Sequence, residues 1–261
     1  MLPSYAWRRR LGIGVHSFAA ATAGNRATIE ADLAWYTAVT GRLPATLLEL
    51  GPGDTIANAM YAAARGVRQI WLMDVGDHAS SDMAEYRAIA ATLPADFTAT
   101  LDFTSRATLL ASLNTTYLTA GPPSLRAIPD GSIDLTVSYT VLEHVRRADF
   151  ARLLADLHRL SAKGGLAHHL VDLMDHLGGG LNHLRFGDAL WEHPAIATSG
   201  FYTNRLSQAE IIAAAEAAGF ETAVPYALYW SDLPPANLHR QFTGRTAAEL
   251  RVANFGLYLR R

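Results

Sequence analysis

Leu47-Leu48-Glu49-Leu50-Gly51-Pro52-Gly53-Asp54 is the stretch on which the reading of this chain turns. Ala45 to Leu50 is a short apolar run ending in glycine, the pattern of a strand buried on both faces of a parallel sheet. A helix is expected over about Thr55–Arg65, so Gly51 and Gly53 fall between strand and helix. Without side chains they let a ligand approach the backbone, beside a helix N-terminus whose amides favour polar groups. Two glycines alone describe an ordinary tight turn equally well. Asp74 supplies the second part: Gln69-Ile70-Trp71-Leu72-Met73 repeats the apolar run and stops at an acid, placed to accept hydrogen bonds from ribose hydroxyls. The longer dinucleotide glycine fingerprint is missing, because Thr55 and Ile56 occupy its later positions. A nucleoside is therefore better supported than a diphosphate.

Outward from this unit, strands and helices alternate. Residues 17–41 carry Ile29, Leu33, Tyr36 and Val39 at helical spacing, closed by Gly41 and Pro44. Beyond Asp74 the pattern predicts a helix over 83–93, a helix near 105–113, a strand over 115–119 and, after the turn Pro129-Asp130-Gly131-Ser132, a strand over 133–138. Phe150, Leu153, Leu154, Leu157 and Leu160 mark a helix that Lys163-Gly164-Gly165 is expected to end, with a strand over 166–171. Ser207 with Glu210 forms a capping box for a helix stopped by Gly219, and 255–259 is expected to be an edge strand. This alternation argues for a parallel, doubly wound α/β sheet with helices on both faces and functional residues just after the strands.

Composition narrows the chemistry. The chain has 261 residues, half of them hydrophobic, enough for one sizeable core. With 22 basic and 24 acidic residues and a net charge of -2, it has no overall field to hold a polyanion, so nucleic acid is not an expected partner. The absence of cysteine excludes disulfides, thiolate zinc sites and a cysteine nucleophile. No membrane span is expected, because no run of about 18 uncharged apolar residues occurs. Arg8-Arg9-Arg10 is followed by a stretch broken by glycines and His16, which does not read as a signal peptide. A cytoplasmic location is the expectation.

Three ordered stretches carry a family resemblance. Leu48-Glu49-Leu50-Gly51-Pro52-Gly53-Asp54 resembles motif I of class I S-adenosylmethionine-dependent methyltransferases. Ile128-Pro129-Asp130-Gly131-Ser132-Ile133-Asp134 through Val141-Leu142-Glu143-His144-Val145 is similar to the run around the family's fourth strand, and Leu157-His158-Arg159-Leu160-Ser161-Ala162-Lys163-Gly164-Gly165 to its helix-to-fifth-strand element. The resemblance implies a mostly parallel, seven-stranded Rossmann-like sheet at 45–261, an N-terminal helical extension at 1–44 and an acceptor-binding insert at about 172–206. It also implies S-adenosyl-L-methionine as cofactor, held by Glu49, Gly51, Pro52, Gly53, Asp74, Val75, Ser138 and Tyr139. The acid often found after the third strand is replaced by Thr119-Ala120-Gly121, which leaves the adenine contacts open.

Activated methyl transfer needs alignment of donor and acceptor and, for a hydroxyl acceptor, a base. His144 and His176 are the candidates, with Asp175 or Asp172 as orienting carboxylate. A metal is not expected: the Glu-x-x-Glu-His pattern that binds divalent metal in related families has Thr140 at its first position. The polar segment after the fifth strand, including His168, His169, Asp172, Asn182, His183 and Arg185, and the cluster Tyr202, Asn204 and Arg205 are expected to face the acceptor. The leading expectation is O-methylation of a small polar or glycan-type acceptor. N- or C-methylation of a small metabolite, a nicotinamide-dependent oxidoreductase and a catalytically silent binding protein are the alternatives, and a homo-oligomer is left open.

Overall fold

The computed structural model describes residues 18–235 and 237–261. The readings placed on residues 1–17, including the basic triplet and the signal-peptide expectation, lie outside the described residues. Seven strands form one sheet: β1 (Thr46–Leu50), β2 (Gln69–Met73), β3 (Thr115–Leu118), β4 (Ile133–Tyr139), β5 (Ser161–Asp172), β6 (Glu221–Tyr229) and β7 (Val252–Arg260), in the order β3-β2-β1-β4-β5-β7-β6. β1 runs parallel to β2 on one side and β4 on the other, so Glu49 lies in register with Leu72 and Val137. Strand order reverses at β1 and β4, the switch point at which open α/β sheets bind ligands beyond the carboxyl ends of their strands. The sheet is thus the doubly wound, mostly parallel Rossmann-like sheet that the sequence implies.

The chain divides into two compact units. Of the described residues, one unit comprises 18–138, Arg159–His168 and Arg261. Its helices include α1 (Phe18–Thr40), α2 (Ala57–Ala64), α3 (Met83–Ala90), α4 (Ala95–Thr98) and α5 (Arg106–Ser112). The central strands bury Leu47, Leu48, Leu50, Ile70 and Leu72, and α1 buries Ile29, Leu33 and Tyr36. α1 is bound to β5 by Asp32 and His168, whose side chains are both buried and meet at 2.6 Å. His168 therefore serves as a core contact and leaves the list of acceptor-facing groups. Asp134 ties the start of β1 to β4: its carboxylate accepts from the guanidinium of Arg42 and the amides of Ala45 and Thr46.

Of the described residues, the other unit comprises those within Tyr139–His158 and His169–Arg260. It holds α6 (Arg147–Leu160, whose last residues belong to the first unit), α7 (Asp188–Trp191), α8 (Pro194–Ala197), α9 (Gln208–Ala217) and α10 (Ala247–Leu250). Leu181, Leu184 and Phe242 form a small core of their own, packed by Trp230, Leu233, Leu238 and Leu250. α9 begins with the expected capping box between Ser207 and Glu210.

Two expectations are corrected. α6 ends at Leu160 and β5 begins at Ser161, so Lys163-Gly164-Gly165 does not close a helix but lies inside a strand. The glycines serve other purposes there. Gly164 adopts φ +74, and a Cβ on Gly165 would sit 2.9 Å from the Ala162 carbonyl and 3.0 Å from that of Ile133. The strand at 255–259 is not the edge: β7 is longer, lies inside the sheet and pairs antiparallel with β6, which is the edge. β6 escaped the sequence pattern because it is largely exposed, without inside-outside alternation, and contains Pro225. An edge strand tolerates both features.

Candidate functional site

The turn after β1 is shaped by two glycines in the left-handed region, Gly51 at φ 64 and Gly53 at φ 65, with Pro52 between them. The Gly51 amide donates to the Met73 carbonyl at 2.7 Å, drawing the end of β1 to the end of β2. There Asp74, buried to 7 % exposure, accepts from the Gly53 amide (3.1 Å) on one oxygen and from the Val75 amide (2.7 Å) on the other. Burial raises the Asp74 pKa against the opposing pull of those two amides and of His78, whose Nε2 stands 3.9 Å away. A single carboxylate thus ties the glycine loop to the second strand.

Glu49 lies at 2 % exposure on β1, and its Oε1 accepts from Asn58 Nδ2 at 2.6 Å. Burial pushes its pKa up to about 7. Glu49 Oε2 and Asn58 Oδ1 are buried acceptors without a hydrogen-bond partner in the protein. Such groups cost about 1–3 kcal/mol each unless something donates to them, so this pair suits a ligand carrying donors or positive charge. Asn58 was missed in the sequence, although a polar residue in the first turn of the helix after a glycine loop is a signal. Val75 is an apolar side chain left 76 % exposed, next to Gly121. Ser138 is fully buried and Tyr139 half-buried. Near the ends of β2 and β3 lies a cavity of about 340 Å³ lined by residues including Asp77, Arg106, Tyr117 and Thr119.

The acceptor-side candidates lie in the other unit, and the structure sorts them. His144 is exposed, and its Nδ1 meets the Tyr202 carbonyl at 2.8 Å. A carbonyl can only accept, so Nδ1 carries a proton, and in the neutral ring the lone pair is then on Nε2. The His176 ring meets it edge-on, with centroids 4.8 Å apart. Asp172, in which burial raises the pKa against the Met174 amide and His176, ends β5. Glu143 is 1 % exposed with neither carboxylate oxygen hydrogen-bonded, and burial holds its pKa well above the glutamate range.

Other candidates are engaged in holding the segment together. Asp175 accepts from the amides of Leu177 (2.8 Å), Gly180 (3.1 Å) and Asn182 (2.5 Å) and from the Asn182 side chain (3.1 Å). Arg205 is buried, donates to the Phe186 carbonyl and Asp188, and lies over the rings of Trp191 and Phe242. Burial lowers its pKa to about 10, against the pull of Asp188 and Glu192. Tyr202 is buried with its hydroxyl donating to Glu192, His169 is fully buried in β5, and Arg185 is exposed. Burial lowers the His183 pKa to about 3, keeping that imidazole neutral. Among the described residues no group of three or more His, Asp or Glu is arranged to hold a metal ion, and no helix is long and apolar enough to cross a membrane.

A methyltransferase domain model matches residues 26–224, well over half of the chain. No curated protein sequence matches it. Among solved structures, a SAM dependent methyltransferase from Archaeoglobus fulgidus is similar at a TM-score of 0.51 and 9% identity, over 98% of this chain and 99% of that one. The 1,6-didemethyltoxoflavin-N1-methyltransferase of Burkholderia thailandensis, with bound S-adenosylhomocysteine, is similar at 0.48 and 15% identity, over 90% and 79%. A candidate O-methyltransferase from Nostoc punctiforme is similar at 0.46 and 11% identity; the match covers 89% of this chain but only 56% of that one. The matched family, the glycine loop with its second-strand acid and the strand order agree, and the nicotinamide alternative drops away: the chain belongs to the methyltransferase domain family, in its class I, S-adenosylmethionine-dependent form.

Proposed function

We propose that this protein transfers the methyl group of S-adenosylmethionine to a hydroxyl oxygen of a small polar or glycan-type acceptor, with His144 as the base. The observation that carries the hydroxyl reading is the 2.8 Å contact from His144 Nδ1 to the Tyr202 carbonyl, which leaves the lone pair on Nε2 of an exposed ring. Transfer to a basic nitrogen needs no such group, whereas a hydroxyl must lose its proton as the new bond forms. When bound, S-adenosylmethionine supplies a methyl group already activated by its sulfonium, so the chain's own residues have to hold, orient and deprotonate.

Glu49, Gly51, Pro52, Gly53, Asp74, Val75, Ser138 and Tyr139 are assigned to the donor. Support comes from the unpartnered acceptors on Glu49 and Asn58, the two left-handed glycines, and a second-strand carboxylate held by two backbone amides. Val75, exposed and apolar, offers a surface for a flat base. His176, beside His144, assists its ring, and His169, Asp172, Asn182, Arg185, Tyr202 and Arg205 are assigned to the acceptor side. For Asn182, Tyr202 and Arg205 the hydrogen bonds point to shaping the site rather than touching the acceptor.

Thermal stabilisation by S-adenosylhomocysteine but not by NAD tests the donor assignment. Release of S-adenosylhomocysteine is then followed with a panel of polyols, hexosides, phenols and amines. Turnover confined to hydroxyl acceptors and lowered at least about a hundredfold in His144→Ala supports the reading; turnover confined to amines overturns it. Donor binding with no turnover on any acceptor favours the silent binding protein.

A further inference from the structure

Tyr202-Thr203-Asn204-Arg205 is buried without a break and lies against the turn that carries His144. Three of the contacts between the two segments come from one residue. The Asn204 amide donates to the Glu143 carbonyl at 2.6 Å, and its side-chain Nδ2 donates to the carbonyls of Leu142 (2.8 Å) and Val145 (3.0 Å). Its Oδ1 accepts from the Leu206 amide at 3.1 Å, so the buried side chain, 1 % exposed, is bonded at both ends. Asn204 brackets His144 on both sides in sequence through backbone carbonyls.

We infer that Asn204 is a positioning residue: by clamping the Leu142–Val145 turn against the 202–205 segment, it holds the Tyr202 carbonyl at His144 Nδ1 and so fixes the imidazole tautomer. This rests on the reading of His144 as base. A neutral imidazole free in water favours the proton on Nε2, which leaves that atom without a lone pair for an acceptor proton. Holding the opposite tautomer requires an acceptor fixed at Nδ1, and which nitrogen is protonated follows from the hydrogen bond made by the other. The Tyr202 carbonyl is that acceptor, and its distance to Nδ1 depends on the register between two segments about sixty residues apart in sequence. Asn204 sets that register with donors alone, so an aspartate at the same place would turn a carboxylate toward two carbonyls.

The test is ¹⁵N NMR of the histidine side chains at pH 8 in the full-length protein saturated with S-adenosylhomocysteine, with the His144 signals assigned by their loss in His144→Gln. Wild type is expected to show the Nδ1–H tautomer at His144. Asn204→Ala is expected to move it mainly to Nε2–H while S-adenosylhomocysteine affinity stays within about twofold, and kcat on any accepted hydroxyl compound to fall about tenfold or more with KM little changed. Tyr202→Phe keeps the carbonyl and is expected to keep the wild-type tautomer. If Asn204→Ala does not fold, Asn204→Asp gives the same readout at nearly unchanged volume. An unchanged tautomer in either folded variant overturns the inference, as does loss of folding in both. Nε2–H in wild type also overturns it, whereas the base role itself stands or falls separately on the turnover of His144→Ala.

Discussion

The end of β1 and the turn after β4 each bury a glutamate, and they hold it differently. Around Glu49 the contacts are local: Asn58 is nine residues on, and the carboxylate of Asp74 reaches back to a Gly53 amide 21 residues away. Around Glu143 the turn is held by Asn204 and Tyr202, at separations of 62 and 58 residues. One carboxyl accepts from a side-chain amide and has its pKa raised to about 7; the other, more isolated, is pushed by burial well above the glutamate range. The first arrangement is built from its own neighbourhood in sequence, whereas the second depends on a segment about sixty residues away.

The largest effect that bears on this contrast is catalytic. His144→Ala is expected to lower kcat by ~10²–10⁴, the usual worth of a positioned general base. Because the residues proposed to hold the donor make their contacts locally, S-adenosylhomocysteine affinity measured by calorimetry should stay within about twofold. A parallel loss of donor affinity would break the separation between the two turns.

The next effect is on stability. Glu49 has its pKa raised from 4.5 to about 7 by burial, so between those values the folded chain holds more protons than the unfolded one. Its contribution is complete below pH about 4.5 and is lost as pH rises through about 7, to a total on the order of 3 kcal/mol. Glu49→Gln removes the titration. Urea unfolding of the two proteins from pH 5 to pH 8 should therefore show wild type losing stability relative to the variant, and parallel curves would disprove it.

The same contrast explains what could be read in the sequence. The glycine loop, Asp74 and at least part of every strand except β6 are legible in the sequence, most clearly β1 and β4, where burial on both faces forces an apolar run. β6 was not, because an exposed edge strand has no such constraint, and β5 was drawn short because Gly164 and Gly165 imitate a helix stop. In the candidate site, Glu49 and Asp74 stood out, whereas the roles of Asp175, Arg205 and Asn204 depend on partners that only folding brings near. Polar residues crowded after a strand show where chemistry is plausible; they do not distinguish the groups that face a ligand from those that hold each other.

A smaller effect probes the local turn. Asp74→Asn keeps the shape but removes the charge, and hydrogen bonds to charged groups are worth ~1.5–3 kcal/mol against ~0.5–1.5 for neutral ones. S-adenosylhomocysteine affinity should fall by about tenfold in calorimetry, with His144-dependent chemistry intact at saturating donor. Unchanged affinity would remove Asp74 from the ribose assignment and leave it as the tie between Gly53 and Val75.

Asp175 is the smallest test and separates two roles for one residue. As an orienting carboxylate for a histidine base it would be needed in turnover, but its oxygens already accept from three backbone amides and the Asn182 side chain, closing the loop around Gly178-Gly179-Gly180. Asp175→Asn replaces one acceptor by a donor facing amide donors, at a cost of about 1–2 kcal/mol. The variant should unfold at lower urea concentration while the pH profile of kcat keeps its wild-type midpoint. If instead the midpoint moves and stability does not, Asp175 acts on the base directly, and the distant turn would owe its chemistry to a carboxylate as well as to the Tyr202 carbonyl.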